Sequence, residues 1–196
     1  MKKIPTLFTR YYADHKVVGI SDEVTPGCEA VLEGKCRPTI KIDGACCAII
    51  NGEFYKRYDA KKGRKPPEGA IPCCDPDPVT GHWPHWVKVD PNRPEDKWFM
   101  EAYNNSPWYH KQDGTYEAYG KHFQGNPYSM TIDKLIPHGN ILFRMPRKPT
   151  FENIKKSLEE CEIEGIVFWK DGKPLCKIKR TDFGLEWPIK SETGDR

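Results

Sequence analysis

Three charged residues in the C-terminal part of the sequence have the types and spacing of a polyphosphate-binding site. Glu164 lies before an Asp171-Gly172 pair, and Lys177 and Lys179 lie beyond it. An Asp-Gly pair between two apolar segments predicts a β-hairpin with a two-residue turn. That register places Glu164 opposite Lys179, and because side chains alternate along a strand, Glu164, Lys177 and Lys179 share one face.

The other face of this hairpin is predicted to be apolar, with Ile163, Val167 and Ile178 pointing into a core. The charged face has two interpretations. One is a cross-strand salt bridge on a solvated surface, which contributes at most about 1 kcal/mol to stability. The other is a site where two lysines bind phosphate oxygens and one carboxylate lies near a cation.

A second candidate for chemistry is a lysine in the short pattern K-x-D-G. The pattern occupies residues 41–44 and begins with Lys41. Residues 38–58 predict a hairpin around Asn51-Gly52, and its register places Arg57 opposite Cys46, close to the K-x-D-G segment. The pattern is short, so the alternative is an ordinary surface lysine before a turn.

The elements that position these residues predict an α+β fold with mostly antiparallel sheets. Residues 114–124 predict another strand, and residues 151–161 predict a helix with Thr150 as its N-cap. Residues 60–98 contain many prolines and few periodic apolar positions. We interpret them as a long loop or lid with at most short strands.

The composition fits a globular protein. The chain has 196 residues, of which 37% are hydrophobic, so one domain with a packed core is expected. No apolar segment approaches the roughly 20 residues that a membrane helix needs, and the N-terminal residues show no signal-peptide core. We therefore expect no membrane span and a cytoplasmic protein, in the host-cell cytoplasm if its source is viral.

The eight cysteines include two adjacent pairs, Cys46-Cys47 and Cys73-Cys74, and no C-x-x-C pattern. This favours reduced thiols over a disulfide framework. A zinc site made of Cys73, Cys74, His82 and His85 is an alternative, although adjacent cysteines suit a tetrahedral site poorly.

The basic residues outnumber the acidic ones only slightly, 31 to 28. Their clustering predicts a phosphate-bearing partner if the fold brings the clusters onto one surface, and otherwise they are solvated faces. The clusters are Lys56, Arg57, Lys61, Lys62, Arg64 and Lys65; Arg144, Arg147 and Lys148; and Lys177, Lys179 and Arg180.

Taken in order, the motifs resemble those of the covalent nucleotidyltransferases, which comprise ATP-dependent DNA ligases, RNA ligases and mRNA capping enzymes. The resemblance spans about 140 of the 196 residues. It is carried by KIDG at 41–44, Arg57, TYEAYG with Glu117, EGIVF at 164–168 and KIK at 177–179.

A closer resemblance is to the family of the vertebrate RNA ligase that joins RNA 5′-phosphate to 3′-hydroxyl ends. It is carried by KIDGACC, GHWPHWV, QGNPY, LIPHG, IEGIVF and FGLEWPI. The resemblance implies a single nucleotidyltransferase (adenylation) domain over residues 1–196, with antiparallel sheets flanked by helices around an ATP cleft. We expect no OB-fold domain, which disfavours DNA nick sealing and mRNA capping.

The resemblance implies an ATP-dependent RNA ligase that acts as a monomer on RNA with 5′-phosphate and 3′-hydroxyl ends. Lys41 attacks the α-phosphate of ATP and forms a lysyl-AMP, the AMP moves to the RNA 5′-phosphate, and the 3′-hydroxyl displaces it. The implied cofactors are ATP and Mg²⁺ or Mn²⁺. The alternatives are a DNA nick-sealing ligase, a capping-type enzyme, or a non-catalytic module that binds RNA ends.

The same resemblance implies roles for residues near Lys41. Asp43 orients Lys41 and the nucleotide, Glu164 contacts the ribose or the metal, and Lys177 and Lys179 contact the α-phosphate. A lysine must lose its proton before it attacks, and burial beside other cations favours the neutral amine. We therefore expect Glu164 and Asp43 to hold a cation or ribose rather than to activate Lys41.

Further residues are implied to bind the nucleotide. Glu117 contacts the ribose hydroxyls, and Arg57 contacts the ribose or a phosphate. Backbone groups near Thr39 and Ile40 are expected to read the adenine edge. Phe143 is the candidate for stacking on adenine, with a place in the core as its alternative.

The RNA ends are expected to contact basic and aromatic side chains beside the cleft. For the tryptophans, burial in a small local core is the alternative. The candidates are Arg64, Lys65, Arg144, Arg147, Lys148, Trp83, Trp86 and Trp98.

Overall fold

The computed structural model describes residues 3–14, 16–60, 64–78 and 80–189, and of residue 16 the backbone alone. This part of the chain divides into two compact units. The first unit contains residue 3 and residues 43–138, and the second contains residues 4–42 and the described residues from 139 onward. The structure is mixed, with mostly antiparallel sheets and few helices, which agrees with an α+β class.

The second unit contains a two-stranded sheet, a three-stranded sheet and one helix. The three-stranded sheet has the order β11-β10-β3, and both of its pairings are antiparallel. The elements are β1 (Phe8–Ala13), β2 (Lys16–Val24), β3 (Arg37–Lys41), α2 (Phe151–Glu160), β10 (Gly165–Lys170) and β11 (Lys173–Lys179).

The β10–β11 hairpin forms where the sequence predicts it, but its register differs from the prediction. At the turn Lys170 pairs with Lys173, as expected. A bulge at Leu175 of β11, opposite the step from Phe168 to Trp169, then shifts the pairing by one residue, because a bulge places an extra residue on one strand. The prediction that Glu164 lies opposite Lys179 is therefore wrong: Gly165 occupies that position.

The shifted register also corrects the predicted core. Val167 pairs with Lys177 and is only partly buried, so the prediction that it points into the core is wrong. Ile166 pairs with Ile178, and both side chains are fully buried. Ile163 is buried as expected.

The N-terminal residues take part in this unit, which the sequence analysis did not predict. The strand pair β1–β2 is antiparallel and irregular. The segment before β1 runs beside β11: Leu7 N–H donates to the Lys177 carbonyl at 2.7 Å, and Lys177 N–H donates to the Pro5 carbonyl at 3.0 Å. Leu7 and Phe8 are fully buried in the same core as Ile154 and Leu158 of α2.

Helix α2 begins where the sequence predicts it. The Thr150 side chain accepts a hydrogen bond from Asn153 N–H, and the Asn153 side chain accepts one from Thr150 N–H. This capping box satisfies donors that a helix start leaves unpaired. The buried positions Ile154 and Leu158 lie one turn apart on the predicted apolar face.

The first unit is built on a six-stranded antiparallel sheet with the order β6-β7-β5-β4-β8-β9. Its core lies between one face of the sheet and helix α1, and contains Cys47, Ile49, Tyr116, Ala118 and Leu135. The elements are β4 (Ala45–Ile50), β5 (Glu53–Ala60), β6 (Ile71–Pro72), β7 (Trp83–Lys88), α1 (Lys97–Asn104), β8 (Gly114–Tyr119) and β9 (Lys134–Pro137).

The β4–β5 register is confirmed, since Ile50 pairs with Glu53 and Cys47 with Lys56 around the Asn51-Gly52 turn. The prediction for residues 60–98, a long loop or lid with at most short strands, allows for β6 and β7, but it did not place β7 inside the sheet between β6 and β5. The sequence of β7 does not alternate between apolar and polar residues as a half-buried strand usually does, because it begins Trp83, Pro84, His85, Trp86. Residues 61–63 and 79 lie outside the described residues.

Candidate active site

Three lysines project from one face of the β11-β10-β3 sheet. Gly165 of β10 pairs with Lys41 on one side and with Lys179 on the other, and Val167 pairs with Lys177. Since paired residues of neighbouring strands point to the same side of a sheet, Lys41, Lys177 and Lys179 share this side. We call these three residues and Glu164 the lysine face.

Glu164 reaches this face from the position just before β10. Its Oε2 atom lies 2.5 Å from Lys41 Nζ, and the two side chains are 10% and 22% exposed. A charge-assisted hydrogen bond between two groups so largely removed from water is stronger than a surface salt bridge. Glu164 therefore lies beside the lysines, as the sequence predicted, although the predicted register that placed it there was wrong.

Lys177 is the lysine whose pKa departs from the ordinary value. Its pKa is lowered from 10.5 to about 8, first by burial and then by the charges of Lys41, Lys179 and Arg10, while the charge of Glu164 opposes the shift. Burial and nearby positive charges both disfavour the charged form of the Lys177 amine. Phosphate oxygens at this place would relieve that cost, so the face suits an anionic ligand.

Arg10 is a basic residue of this site that the sequence analysis missed. It lies on β1, and its guanidinium donates to Asp182 Oδ1 at 2.6 and 3.0 Å. Asp182 is 3% exposed and also accepts a hydrogen bond from Lys179 N–H. Asp182 thereby connects Arg10 to the end of β11. Only the pairing of residues 5–7 with β11 brings Arg10 close to Lys177, and no local motif indicates that pairing.

Gly165 is required by close packing at the centre of the lysine face. A Cβ atom added there would lie 2.2 Å from the Ile178 carbonyl oxygen and 2.9 Å from Lys179 Cα. No ordinary side chain fits at such distances. The glycine of the EGIVF segment therefore allows β10 and β11 to approach each other between Lys41 and Lys179.

Thr39 and Ile40 lie inside the sheet. Thr39 is 1% exposed, its hydroxyl accepts a hydrogen bond from Trp169 Nε1 at 2.8 Å, and Ile40 N–H donates to the Ile141 carbonyl. Phe143 is partly buried and packs against the core of this unit. Their predicted roles at adenine stay predictions.

The first unit carries a second group of predicted site residues on the sheet face that points away from its core. Cys46 of β4 pairs directly with Glu117 of β8. Arg57 of β5 contacts the Cys46 thiol and donates to Asp59 Oδ1 at 2.7 Å. We call Cys46, Arg57, Glu117 and His138 the polar face.

Glu117 is held by a histidine that the sequence analysis did not single out. His138 follows β9, and its Nε2 atom lies 2.7 Å from Glu117 Oε2. The two side chains are 18% and 13% exposed. The LIPHG segment contained this histidine, but only the β8–β9 pairing shows which carboxylate it reaches.

Cys46 is held as a thiol. Burial, which is the largest cause, and the negative charge of Glu117 together raise its pKa to about 12, while Arg57 opposes the rise. The neighbouring Cys47 points to the core on the opposite side of the sheet and is fully buried.

Asp43 belongs to the first unit, and its backbone N–H donates to the Tyr128 hydroxyl at 2.7 Å. Among the predicted site residues, the structure therefore groups Lys41, Glu164, Lys177 and Lys179 in the second unit. It groups Arg57 and Glu117 in the first.

The predicted RNA-contacting residues differ in exposure. Trp86 is 6% exposed, and Trp98 stacks on the His122 ring at a centroid distance of 3.4 Å. Trp83 donates from Nε1 to the Cys74 carbonyl. These contacts favour the alternative that the tryptophans are packing residues.

The basic candidates for RNA contacts are all exposed, namely Arg64, Lys65, Arg144, Arg147 and Lys148. Lys61 and Lys62 lie outside the described residues.

No helix among the described residues is long and apolar enough to span a membrane.

The zinc alternative at Cys73, Cys74, His82 and His85 does not correspond to a metal-binding arrangement in the part of the chain that the structure describes. All eight cysteines are free.

Comparison with known proteins shows one consistent similarity. Residues 101–194 match the family model described as RNA ligase 1. The RNA ligase 1 of Danio rerio is 30% identical, and the alignment covers 86% of this chain and 74% of that protein. The RNA ligase 1 proteins of Pongo abelii and Rattus norvegicus are each 25% identical, covering 78% and 77% of this chain and 68% of each relative.

Proposed function

The chain belongs to the RNA ligase 1 family, and from that premise we propose that it is an ATP-dependent RNA ligase of the nucleotidyltransferase fold. It seals RNA 5′-phosphate and 3′-hydroxyl ends through a lysyl-AMP intermediate and an adenylylated RNA 5′ end. The observation that carries the proposal is the lysine face, where Lys41 contacts Glu164 beside two further lysines.

Lys41 is the proposed nucleophile because its amine lies among groups that suit a polyphosphate. It must first lose one proton to solvent, and Glu164, whose carboxylate accepts its hydrogen bond at 2.5 Å, positions the amine. Its lone pair then forms the Nζ–Pα bond while the bond from Pα to the bridging oxygen breaks and pyrophosphate leaves with those electrons. The remaining extra amine proton passes to water. The covalent intermediate retains the activation of ATP until the RNA 5′-phosphate displaces Lys41.

Lys177 and Lys179 would stabilise the negative charge that develops on the α-phosphate. The lowered pKa of Lys177, caused first by burial and then by its cationic neighbours, supports this role. In the free protein the neighbouring cations repel the charged Lys177 ammonium group. A bound anion would offset this repulsion and stabilise the ammonium group. Arg10, held by Asp182, adds positive charge to the same place.

Mg²⁺ is the proposed metal cofactor, and Mn²⁺ offers similar ligand chemistry. Glu164 is a hard oxygen donor that is 8% exposed and lies on the lysine face, which suits an ion that takes one or two carboxylates together with substrate phosphates. When bound, the ion would neutralise charge on the triphosphate.

Glu117 and Arg57 are proposed to contact the ribose. His138 holds the Glu117 carboxylate through a hydrogen bond.

The experiment that tests the proposal is covalent labelling with ATP radiolabelled at the α-phosphate in the presence of Mg²⁺. We expect label on the wild-type protein, and no label on Lys41→Ala or Lys41→Arg. Lys35→Ala is the matched control, because Lys35 belongs to the same unit but is exposed and paired with Glu33. Label that persists in both Lys41 variants would remove Lys41 as the nucleophile.

The labelled protein then distinguishes the remaining alternatives. We expect it to transfer AMP to a 5′-phosphorylated RNA and to join that RNA to a 3′-hydroxyl end. Transfer only to a nicked DNA duplex would indicate a DNA ligase, and labelling by GTP rather than ATP would indicate a capping-type enzyme. A protein that binds RNA ends without any label would be a non-catalytic module.

A further inference from the structure

Three neighbouring strands of the first unit place one metal-ligand side chain each on the polar face. Cys46 comes from β4, Glu117 from β8, and His138 from the end of β9. One ligand atom from each residue lies within 4.8 Å of the other two. A thiol, a carboxylate and an imidazole at such distances are a set of ligands that Zn²⁺ uses in proteins.

The sheet register explains why these side chains meet. Cys46 pairs directly with Glu117, and Glu117 pairs with Ile136 of β9. Because side chains alternate along an extended chain, His138, two residues beyond Ile136, points to the same face as Glu117. The rigid backbone of the sheet, rather than a flexible loop, therefore holds all three residues.

The ring of His138 faces the carboxylate with which it would share the metal. Its Nε2 atom lies 2.7 Å from Glu117 Oε2, and a cation bound between these atoms would take the place of the proton in this hydrogen bond. The Nδ1 atom, on the other side of the ring, is buried without a hydrogen-bond partner among the described residues. No hydrogen bond from Nδ1 to these residues therefore holds the ring in a competing orientation.

Arg57 complements this arrangement. It hydrogen-bonds the Cys46 sulfur, and such a donor stabilises the thiolate that remains when a metal displaces the thiol proton. Thiolate and imidazole select softer ions than the Mg²⁺ that accompanies ATP, because Mg²⁺ prefers oxygen ligands in octahedral geometry.

We propose that Cys46, Glu117 and His138 form a zinc-binding site, and that Zn²⁺ bound there excludes the nucleotide from Glu117. The second half of this statement rests on the proposed function, in which Glu117 contacts the ribose. The metal uses the Glu117 oxygen that the ribose hydroxyls would need. The site would make ligase activity sensitive to a soft divalent cation.

The first half is tested with Co²⁺ as a spectroscopic probe for Zn²⁺ on the full chain. Co²⁺ bound to a cysteine thiolate gives a sulfur-to-metal charge-transfer band. We expect this band in the wild-type protein with one equivalent of Co²⁺, its bleaching by one equivalent of Zn²⁺, and its loss in Cys46→Ala and in His138→Ala. The measurement requires no ligase activity, so it remains informative if the proposed function fails.

Matched controls exist for both ligands. Cys47→Ala alters the adjacent thiol on the opposite face of the sheet, and the double variant Cys73→Ala/Cys74→Ala removes the other adjacent pair. His122→Ala alters a histidine in a second cluster, where Asp133 Oδ2 lies 2.7 Å from Nδ1 and sulfur is lacking. All three control proteins should retain the band. A wild-type protein without the band, or a Cys46→Ala protein that keeps it, would overturn the proposed site.

The second half is tested by competition. Saturating ATP with Mg²⁺ should weaken Co²⁺ binding at least tenfold, and Zn²⁺ should raise the apparent KM for ATP in self-adenylylation of the wild-type protein. In Cys46→Ala the ratio of rates with and without Zn²⁺ should approach one. Co²⁺ binding that is indifferent to saturating ATP would refute the competition while leaving the metal site established.

Discussion

The two units present opposite kinds of chemistry on their sheets. The lysine face of the second unit gathers three amines around one carboxylate, and burial together with neighbouring cations lowers the pKa of Lys177 to about 8. The polar face of the first unit holds a thiol, a carboxylate and an imidazole with one guanidinium. There, burial and the Glu117 charge raise the pKa of Cys46 to about 12.

The comparison shows how burial acts on groups of opposite charge type. It disfavours the charged form in both units, so it moves the lysine toward a neutral amine and keeps the cysteine a neutral thiol. The lysine face is consequently suited to binding an anion. The polar face is suited to hydrogen bonding a neutral ligand such as ribose, or to a soft cation that displaces the thiol proton.

The largest expected difference between the faces concerns their carboxylates. Glu164→Gln should slow self-adenylylation about 100-fold or more, because it weakens the proposed hold on the metal ion and the contact that positions the Lys41 amine. Glu117→Gln should mainly raise the KM for ATP, by about tenfold, since it weakens one charge-assisted hydrogen bond. Single-turnover labelling at several ATP concentrations separates the two effects.

Equal losses of the labelling rate at saturating ATP in both glutamine variants would break this comparison. Glu159→Gln is a suitable control because Glu159 lies on an exposed surface of α2, 3.9 Å from Lys155. Its labelling kinetics should match those of the wild-type protein.

A smaller effect is expected on the pH dependence of stability. Lys177 has a folded-state pKa of about 8 against an ordinary value of 10.5. Between these values the unfolded chain binds more protons, so this residue makes the free energy of unfolding rise with pH. Lys177→Met should remove a slope of at most about 1.4 kcal/mol per pH unit over this window.

Urea unfolding of the wild-type and Lys177→Met proteins at several pH values from 7 to above 10 measures this slope. Cys46, whose pKa is raised from 9.0 to about 12, acts in the opposite direction between these two pH values, but it is present in both proteins and cancels in the difference. Lys35→Met controls for the loss of a surface lysine. Parallel profiles for the wild-type protein and Lys177→Met would contradict the assigned shift.

The smallest expected effects concern RNA contacts on the two units. Arg144→Ala/Lys148→Ala in the second unit and Arg64→Ala/Lys65→Ala in the first should each slow RNA joining a few-fold and leave self-adenylylation unchanged. Each lost phosphate contact should reduce the slope of log affinity against log salt by about 0.7. Binding assays at several salt concentrations measure this slope.

Lys155→Ala/Lys156→Ala is the matched control, because both lysines are on α2 and face Glu159 and Glu160 one turn away. A reduced slope in only one of the two test pairs would assign the RNA to that unit. Unchanged slopes in both would remove these four residues from the RNA interface.

The sequence predicted the elements whose signals are local. Asn51-Gly52 set the β4–β5 register, and Thr150 marked the start of α2, because a turn or a cap depends on a few adjacent residues. The hairpin at Asp171-Gly172 was predicted for the same reason. The family resemblance, confirmed by comparison, identified Lys41 and Glu164 as partners although the local register was wrong.

The sequence did not predict features that depend on pairings between distant segments. Arg10 reaches Lys177 only because residues 5–7 run beside β11, and His138 reaches Glu117 only through the β8–β9 pairing. The place of β7 inside the sheet was not predicted because Pro84 and the aromatic residues around it hide an alternating pattern. These contacts are determined by tertiary packing, which outweighs local preference.

The bulge at Leu175 of β11, opposite Phe168 and Trp169, limits how this hairpin can tolerate insertions and deletions. The extra residue brings Lys177 and Lys179 into line with Lys41 while Cys176 and Ile178 fill the core. Deleting one residue between the bulge and Gly165 would exchange the two sides of β10 relative to its partners. Length variation among natural homologues should therefore concentrate at the hairpin tip and be rare on the Lys41 side of the bulge.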